Sequence, residues 1–495
     1  MPRAESSERD LARKGKNRTR AVHAAVVVLS ALLLAWPAFY NGFPLLYPDS
    51  MTYLGDGQTV ARAVFLHHFS DYYGMRSFFY SLGILPFHWN VSPWPIVALQ
   101  SVLVAWVLWL VVGASGAIGT IGSIGSNAPQ RIVTRYLAVV LVLGLLTGVS
   151  WYSAFIMPDI LGPLVYLAFY LLVFAPETLS RVERVALYAI ALWGITAHAS
   201  HFLLAAGLCL LLTLFAAFER GAFLRRMKGV GAAAAILVVA AAAQMALHGY
   251  LYGKPSLNGE RPPYLMARII ADGPGRTYLD THCPQVQWAV CNHLQQLSDD
   301  PDDFLWGPSG AFSSATDDER EEMGQQEMPF VLATLRAYPR EELAKAAANF
   351  RDQLQAFGIY GFDPSPWLLD QFNEVLPRAR TSYVASRQAH GSLPLDRFTS
   401  IQSSAVFVSL GIIAAYLPFL WRRNSPRLAG LSVIVIAIVV ANAIVTGVLS
   451  TVDDRYGCRV IWLLPLLAAL FLLDLLDQWE TAKGSSADRG KPGRA

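Results

Sequence analysis

Four short segments place ionisable side chains where group-transfer chemistry could use them. The first is Tyr47-Pro48-Asp49-Ser50-Met51-Thr52-Tyr53-Leu54, directly after the first apolar run of the chain. A carboxylate at a partly desolvated boundary can take a proton from a hydroxyl nucleophile. Asp49 or Ser50 can instead cap a helix that begins there. The second is Met157-Pro158-Asp159-Ile160-Leu161, where an ionisable residue meets the start of another apolar run. Such a residue is costly unless paired or wet, although proline followed by an acid is also a good helix start. The third is Thr451-Val452-Asp453-Asp454-Arg455-Tyr456-Gly457-Cys458-Arg459. Arg455 and Arg459 are four apart and share one face of a helix, a spacing that suits a phosphate. Internal pairing with Asp453 and Asp454 is the alternative, and both can hold together. The fourth is the pair His198 and His201, three apart at a turn, suited to an anionic group or to plain hydrogen bonding in the turn. A metal site is not expected, because no HExxH or Cys/His ligand pattern is present.

What must position these residues is a membrane. The 495 residues are 54% hydrophobic and only 15% charged, against about 25% charged in soluble proteins. The net charge of +3 gives no reason to expect nucleic acid as a partner. Apolar runs near 21–39, 94–113, 133–150, 157–175, 185–198, 201–218, 229–249, 401–420, 428–449 and 459–476 predict about ten helical spans. The run 21–39 ends in Tyr40-Asn41-Gly42-Phe43-Pro44, a poor cleavage site, and reads as an uncleaved first helix.

Charge supports this count. With the basic tail 1–20 in the cytoplasm, the even loops should carry Lys and Arg. They hold Arg131 and Arg135, then Arg181 and Arg184, then Arg220, Arg225, Arg226 and Lys228, then Arg422, Arg423 and Arg427. The tail adds Lys483, Arg489, Lys491 and Arg494, so both termini are expected in the cytoplasm. Arg455 and Arg459 oppose this pattern. By the same count Asp49 and Asp159 share the outer face.

The expected organisation is a basic tail, 1–20; spans one to seven, 21–249, with a first outer loop at 41–93; an outer domain, 250–400; spans eight to ten, 401–476; and a second tail, 477–495. The fold class is all-α. Thr59–Phe69 could lie as an interfacial helix, and Glu341–Phe357 has helical periodicity. Tyr264–Gly275 reads as an amphipathic helix ended by a turn, with Arg268 a further phosphate candidate. Gly113–Ser126 is a glycine-rich linker, since no strand precedes it and no GK[ST] follows. Cys283 and Cys291 lie in the outer domain, where a disulfide is permitted; spacing alone does not establish it.

Taken together, YPDSMTYL, MPDIL and DRYGCR resemble motifs of the GT-C superfamily of membrane glycosyltransferases, the group that includes protein mannosyltransferases and the aminoarabinose transferases of lipid A. Asp49 matches the family's catalytic acid in the first outer loop. Asp159 is similar to its second acidic position. Arg455, Tyr456 and Arg459 look like its Arg/Tyr element before a late span. The likeness rests mainly on residues 21–249. It departs from the family in two respects: Ser50 follows Asp49 where a second acid is usual, and the outer domain precedes the last three spans.

The resemblance implies an inverting transferase of the bacterial-type plasma membrane. It would move a sugar from a polyprenyl-phosphate donor to a lipid, glycan or protein acceptor, with no further cofactor. It implies Asp49 and Asp159 as catalytic residues, with Arg455, Tyr456, Arg459 and Arg268 on the donor phosphate. His198, His201 and Tyr53 would contact substrate. Membrane lipids are the other expected partners. A transporter or a non-catalytic subunit of an envelope-glycan assembly would share the membrane layout; the first needs charges within its spans.

Overall fold

The computed structural model describes residues 21–70, 76–115, 128–218, 223–257, 259, 261–283, 285–423 and 425–489. The basic tail 1–20, residues 116–126 of the glycine-rich linker, Arg220, Lys491 and Arg494 lie outside these. Among the described residues every regular element is a helix, and the one extended pairing is a bridge between Leu45 and Phe155.

Six of the described helices are long and apolar enough to cross a membrane: Trp94–Ala114, Ala199–Ala217, Phe223–Tyr252, Leu395–Leu420, Pro426–Leu449 and Asp454–Lys483. Their outward faces carry bare apolar side chains, such as Val238, 68% exposed, and Phe407, 66% exposed. Soluble proteins rarely show wide apolar surface of this kind. The chain has the build of a multi-pass membrane protein.

The other four apolar runs are also helical but are shorter or carry charge. They form Ala21–Leu34 with Trp36–Asn41, Ala128–Leu146 with Val149–Ala154, Pro158–Ile160 with Leu161–Phe174, and Arg181–Thr196. Every residue of Leu161–Phe174 is buried, so this helix stands at the centre of the core. Arg181–Thr196 and Ala199–Phe218 meet in the tight turn expected at His198.

The two ends of the bundle differ in chemistry. At one end Arg131 pairs with Glu480 at 2.7 Å, Arg135 with Asp477, and Arg427 with Glu177 at 2.7 Å. These are helix ends that the charge pattern groups on one side. Asp49, Asp159, Arg455, Arg459 and the two histidines gather at the other end, where the outer domain sits.

The segment 250–400, called the outer domain after its expected position, is helical as expected and has its own core of Met266, Ile270, Phe304, Phe312, Met323 and Phe330. Tyr264–Asp272 ends at Gly273, whose φ of 107° glycine alone adopts readily. Cys283 and Cys291 are disulfide-bonded, their Cα atoms 5.5 Å apart. Thr59–Phe69 is mostly the tail of the longer helix Pro48–Leu66, with Phe65 and Leu66 exposed. Pro339–Gln355 is the helix expected at Glu341–Phe357, ending two residues earlier, and it packs on the membrane helix Pro426–Leu449. Gly447 permits the approach, since a Cβ there would stand 2.7 Å from the Asn349 carbonyl oxygen.

Candidate functional site

Backbone ties bring the first two acidic segments together. The Leu45 N–H donates to Ala154 O at 3.0 Å, and the Ile156 N–H donates to Leu45 O at 3.0 Å. Gln388 holds the same strand from the other side, donating to Leu46 O at 2.6 Å and accepting from Leu46 N at 3.1 Å. Pro48 then opens the helix Pro48–Leu66 from its first position. Ser50 closes the start, its Oγ accepting from Tyr47 N at 2.9 Å. Ser50 therefore does the capping, and the Asp49 carboxylate is left for other work.

Asp49 Oδ1 accepts from Arg76 Nη2 at 2.7 Å. Arg76 also donates to Tyr264 Oη at 3.2 Å, and its guanidinium lies 5.1 Å from the Trp306 ring centre. Burial works against the Arg76 cation, yet Asp49 beside it holds its pKa above the ordinary value.

Asp159 sits in the turn Pro158–Ile160 with 1% of its side chain exposed. Arg459 is fully buried, and its Nη1 stands 3.6 Å from Asp159 Oδ1. Arg459 also donates to Asn442 Oδ1, at 3.2 Å from Nε and 2.9 Å from Nη2, and to Ser200 Oγ at 3.1 Å. Arg455 stacks over Tyr47 at 4.5 Å and Tyr456 at 4.9 Å, and donates to Tyr456 Oη at 3.3 Å. Tyr456 also underlies Arg459, at 5.2 Å. Cations over aromatic faces gain more when desolvated.

The alternative, that Asp453 and Asp454 pair with these arginines, is not what the structure shows. Asp453 Oδ1 accepts from Arg455 N at 2.6 Å, capping the last helix, and Asp454 Oδ1 accepts from Gly358 N at 2.5 Å. Both carboxylates satisfy backbone donors, and the guanidinium groups turn away from them into the cluster. Arg455 Nε and Nη1, Arg459 Nη1 and both Asp159 oxygens are buried without a hydrogen-bond partner.

Tyr53 is buried, 1% exposed, against Tyr80. Burial pushes its phenol well above the ordinary range; Asp49 and Asp159 push the same way, while Arg76 and Arg455 oppose them. Tyr53 is therefore within electrostatic reach of all four. Tyr47 is raised to about 12 by burial, with Arg455 opposing. Asp302 of the outer domain is within electrostatic reach of Arg455 and Asp49. Partial desolvation and Asp300 raise it to about 6, while Arg455 pulls it down.

The remaining sequence candidates divide. His198 Nδ1 lies 2.8 Å from Ser200 Oγ, which joins it to Arg459 through that serine. His201 is buried with Nδ1 2.9 Å from Gly194 O, locking the turn between two helices. Arg268 pairs with Asp272 one turn on, and among the described residues no hydrogen bond or ion pair joins it to Asp49, Asp159, Arg455 or Arg459. Asn349 holds that same Asp272 with bonds of 3.1 Å to both oxygens.

Arg76, Asn442, Ser200 and Trp306 belong to the cluster and were missed. Arg76 is a cation in the loop expected on the outer side, an exception to the charge rule like Arg455 and Arg459. Asn442 is a polar residue inside a span, which is itself a signal. Ser200 and Trp306 carry no such mark.

Two contact groups thus lie within electrostatic reach of each other: Asp49 with Arg76 and Tyr264, and Asp159 with Arg459, Arg455, Tyr456 and Tyr47. Such an arrangement can bind an anion and present a carboxylate to a hydroxyl beside it. Among the described residues, no group of three or more His, Cys, Asp or Glu is placed to hold a metal ion. No family model matches the sequence, and neither a curated protein nor a solved structure matches it.

Proposed function

We propose that the protein is an inverting glycosyltransferase using a polyprenyl-phosphate sugar at the extracytoplasmic face of a plasma membrane. On this reading the chain crosses the membrane about ten times, in a GT-C-like layout, with both termini cytoplasmic. The Cys283–Cys291 disulfide suits an oxidising outer compartment.

One observation carries the reading: Arg455 and Arg459 bury guanidinium nitrogens that among the described residues have no hydrogen-bond partner, with Asp159 3.6 Å from Arg459 and Asp49 within electrostatic reach of Arg455. Asp159 offsets Arg459, but among the described residues Arg455 makes no ion pair, and a buried cation without one costs several kcal/mol. A phosphate monoanion or dianion would complete both forks. Lipid delivery suits a cation site at the ends of membrane helices.

In the reaction Asp49 takes the proton of the acceptor hydroxyl. The hydroxyl oxygen bonds to the anomeric carbon from the face opposite the phosphate. The carbon–oxygen bond to the donor phosphate breaks, and its electron pair leaves on the phosphate. Arg455 and Arg459 stabilise that developing charge. Tyr47 and Tyr456 hold Arg455 in place, and Asp159 orients Arg459. Asp49 Oδ1 is engaged by Arg76, which leaves Oδ2 to meet the hydroxyl.

The test is transfer of radiolabelled sugar from a pool of polyprenyl-phosphate sugars to membrane acceptors in proteoliposomes. Asp49→Asn should lose about 10²–10⁴-fold in rate with folding intact. Transfer by Asp49→Asn at the wild-type rate overturns the role. Solute flux without transfer would favour a transporter instead.

A further inference from the structure

Arg76 lies outside any helix, in the segment between Pro48–Leu66 and Phe78–His88. Its backbone gives the side chain little direction. The side chain is placed by what it touches, and two of the three contacts described above come from the outer domain. Tyr264 is the first residue of the helix Tyr264–Asp272, and Trp306 is the last of the helix Pro301–Trp306. Trp306 is 44% exposed and follows the core residues Phe304 and Leu305 at the end of their helix, which carries its ring out of the core and over the Arg76 guanidinium.

We infer that Arg76 is a positioning residue for Asp49 and that the outer domain sets its place through Tyr264 and Trp306. This rests on the reading of Asp49 as the base. Among the described residues the Asp49 carboxylate makes one ion pair, to Arg76 Nη2, so its rotamer depends on that guanidinium. A planar fork can hold a carboxylate, a phenol and an indole at once; a lysine ammonium cannot reproduce the plane. The outer domain thereby completes the site without supplying a reacting group. Its insertion before the last three spans puts it where it can do so: Gln353 exchanges bonds of 2.9 and 3.0 Å with the Asp453 backbone, fixing the domain on the arginine helix.

Two measurements test this. The first is amide deuterium exchange over residues 48–54 in the full-length protein. Arg76→Gln and Trp306→Ala should raise exchange there at least about 10-fold, Arg76→Lys less, and the exposed control Leu343→Ala not at all. Equal exchange in all variants overturns the inference. The second is sugar transfer, as above. Trp306→Ala should lower kcat about 10-fold with donor KM within about threefold of wild type, and should add nothing in an Asp49→Asn background. A raised donor KM with unchanged kcat would make Arg76 and Trp306 donor ligands, and overturns the inference too. If Asp49→Asn is fully active while exchange still responds to Trp306→Ala, the clamp stands and the catalytic reading of Asp49 is what fails.

Discussion

Arg459 Nη1 and Asp159 Oδ1 stand 3.6 Å apart with both side chains sealed from solvent, too far for a hydrogen bond and close enough for an ion pair. Each is the other's charge compensation in a region of low dielectric. Breaking such a pair from one side leaves a buried charge and costs about 3–5 kcal/mol. Asp159→Ala should therefore lower the thermal unfolding midpoint strongly in detergent. Adding Arg459→Met should recover most of the loss. A single variant as stable as wild type would show that the pair is not needed for the fold.

Glu342 supplies a pH signature outside the spans. Burial raises its carboxyl from 4.5 to about 7; Asp272 adds to the rise and Arg268 opposes it. The folded state then keeps its proton at a pH where the unfolded chain has lost it. Stability from this group is present below about 4.5 and is lost as pH rises through about 7. Glu342→Gln should raise the unfolding midpoint relative to wild type at pH about 8 and leave it unchanged at pH about 4. A difference of equal size at both would contradict the shift.

How far the sequence reaches can be read from individual residues. Apolar length and Lys/Arg alternation placed Asp49, Asp159, Arg455 and Arg459 on one side, because a helix of known rise must carry its ends to opposite faces. Depth was not legible in the same way. The backbone bridge at Leu45 and Phe155 that sets Asp49 beside Asp159 depends on two segments about 110 residues apart, and neither has a strand pattern. The arginines of Thr451–Arg459 were open between a phosphate and pairing with Asp453 and Asp454; that the aspartates instead accept from Gly358 N and Arg455 N depends on tertiary placement that no spacing shows. Arg268 had the same composition cues as Arg455. It differs in having Asp272 one turn away, an i,i+4 partner that takes its charge.

The Cys283–Cys291 bond closes a short loop in the outer domain. Cross-links of this length contribute about 2–3 kcal/mol, mainly by restricting the unfolded chain. Cys283→Ser should loosen the outer domain, seen as faster exchange in Pro274–His282, and leave the buried helix Leu161–Phe174 protected. Loss of protection in both would mean that the two parts unfold as one unit.

Gly447 is where the outer domain meets the membrane helix Pro426–Leu449. A methyl group there would press on the Asn349 carbonyl oxygen and stand 2.8 Å from Gln353 Cβ, and overpacking of that kind costs about 1–3 kcal/mol. Gly447→Ala should therefore increase proteolysis within residues 250–400. Gly411→Ala, at a position with open space around it, should not. Equal cleavage of the two would remove the close approach as a docking constraint.

The most direct measurement is native mass spectrometry of the protein in nanodiscs supplied with polyprenyl monophosphate. Wild type should retain one such lipid, and Arg455→Gln with Arg459→Gln should retain at least about 10-fold less while keeping bulk phospholipid. Equal retention by wild type and the double variant would contradict a phosphate site at these arginines.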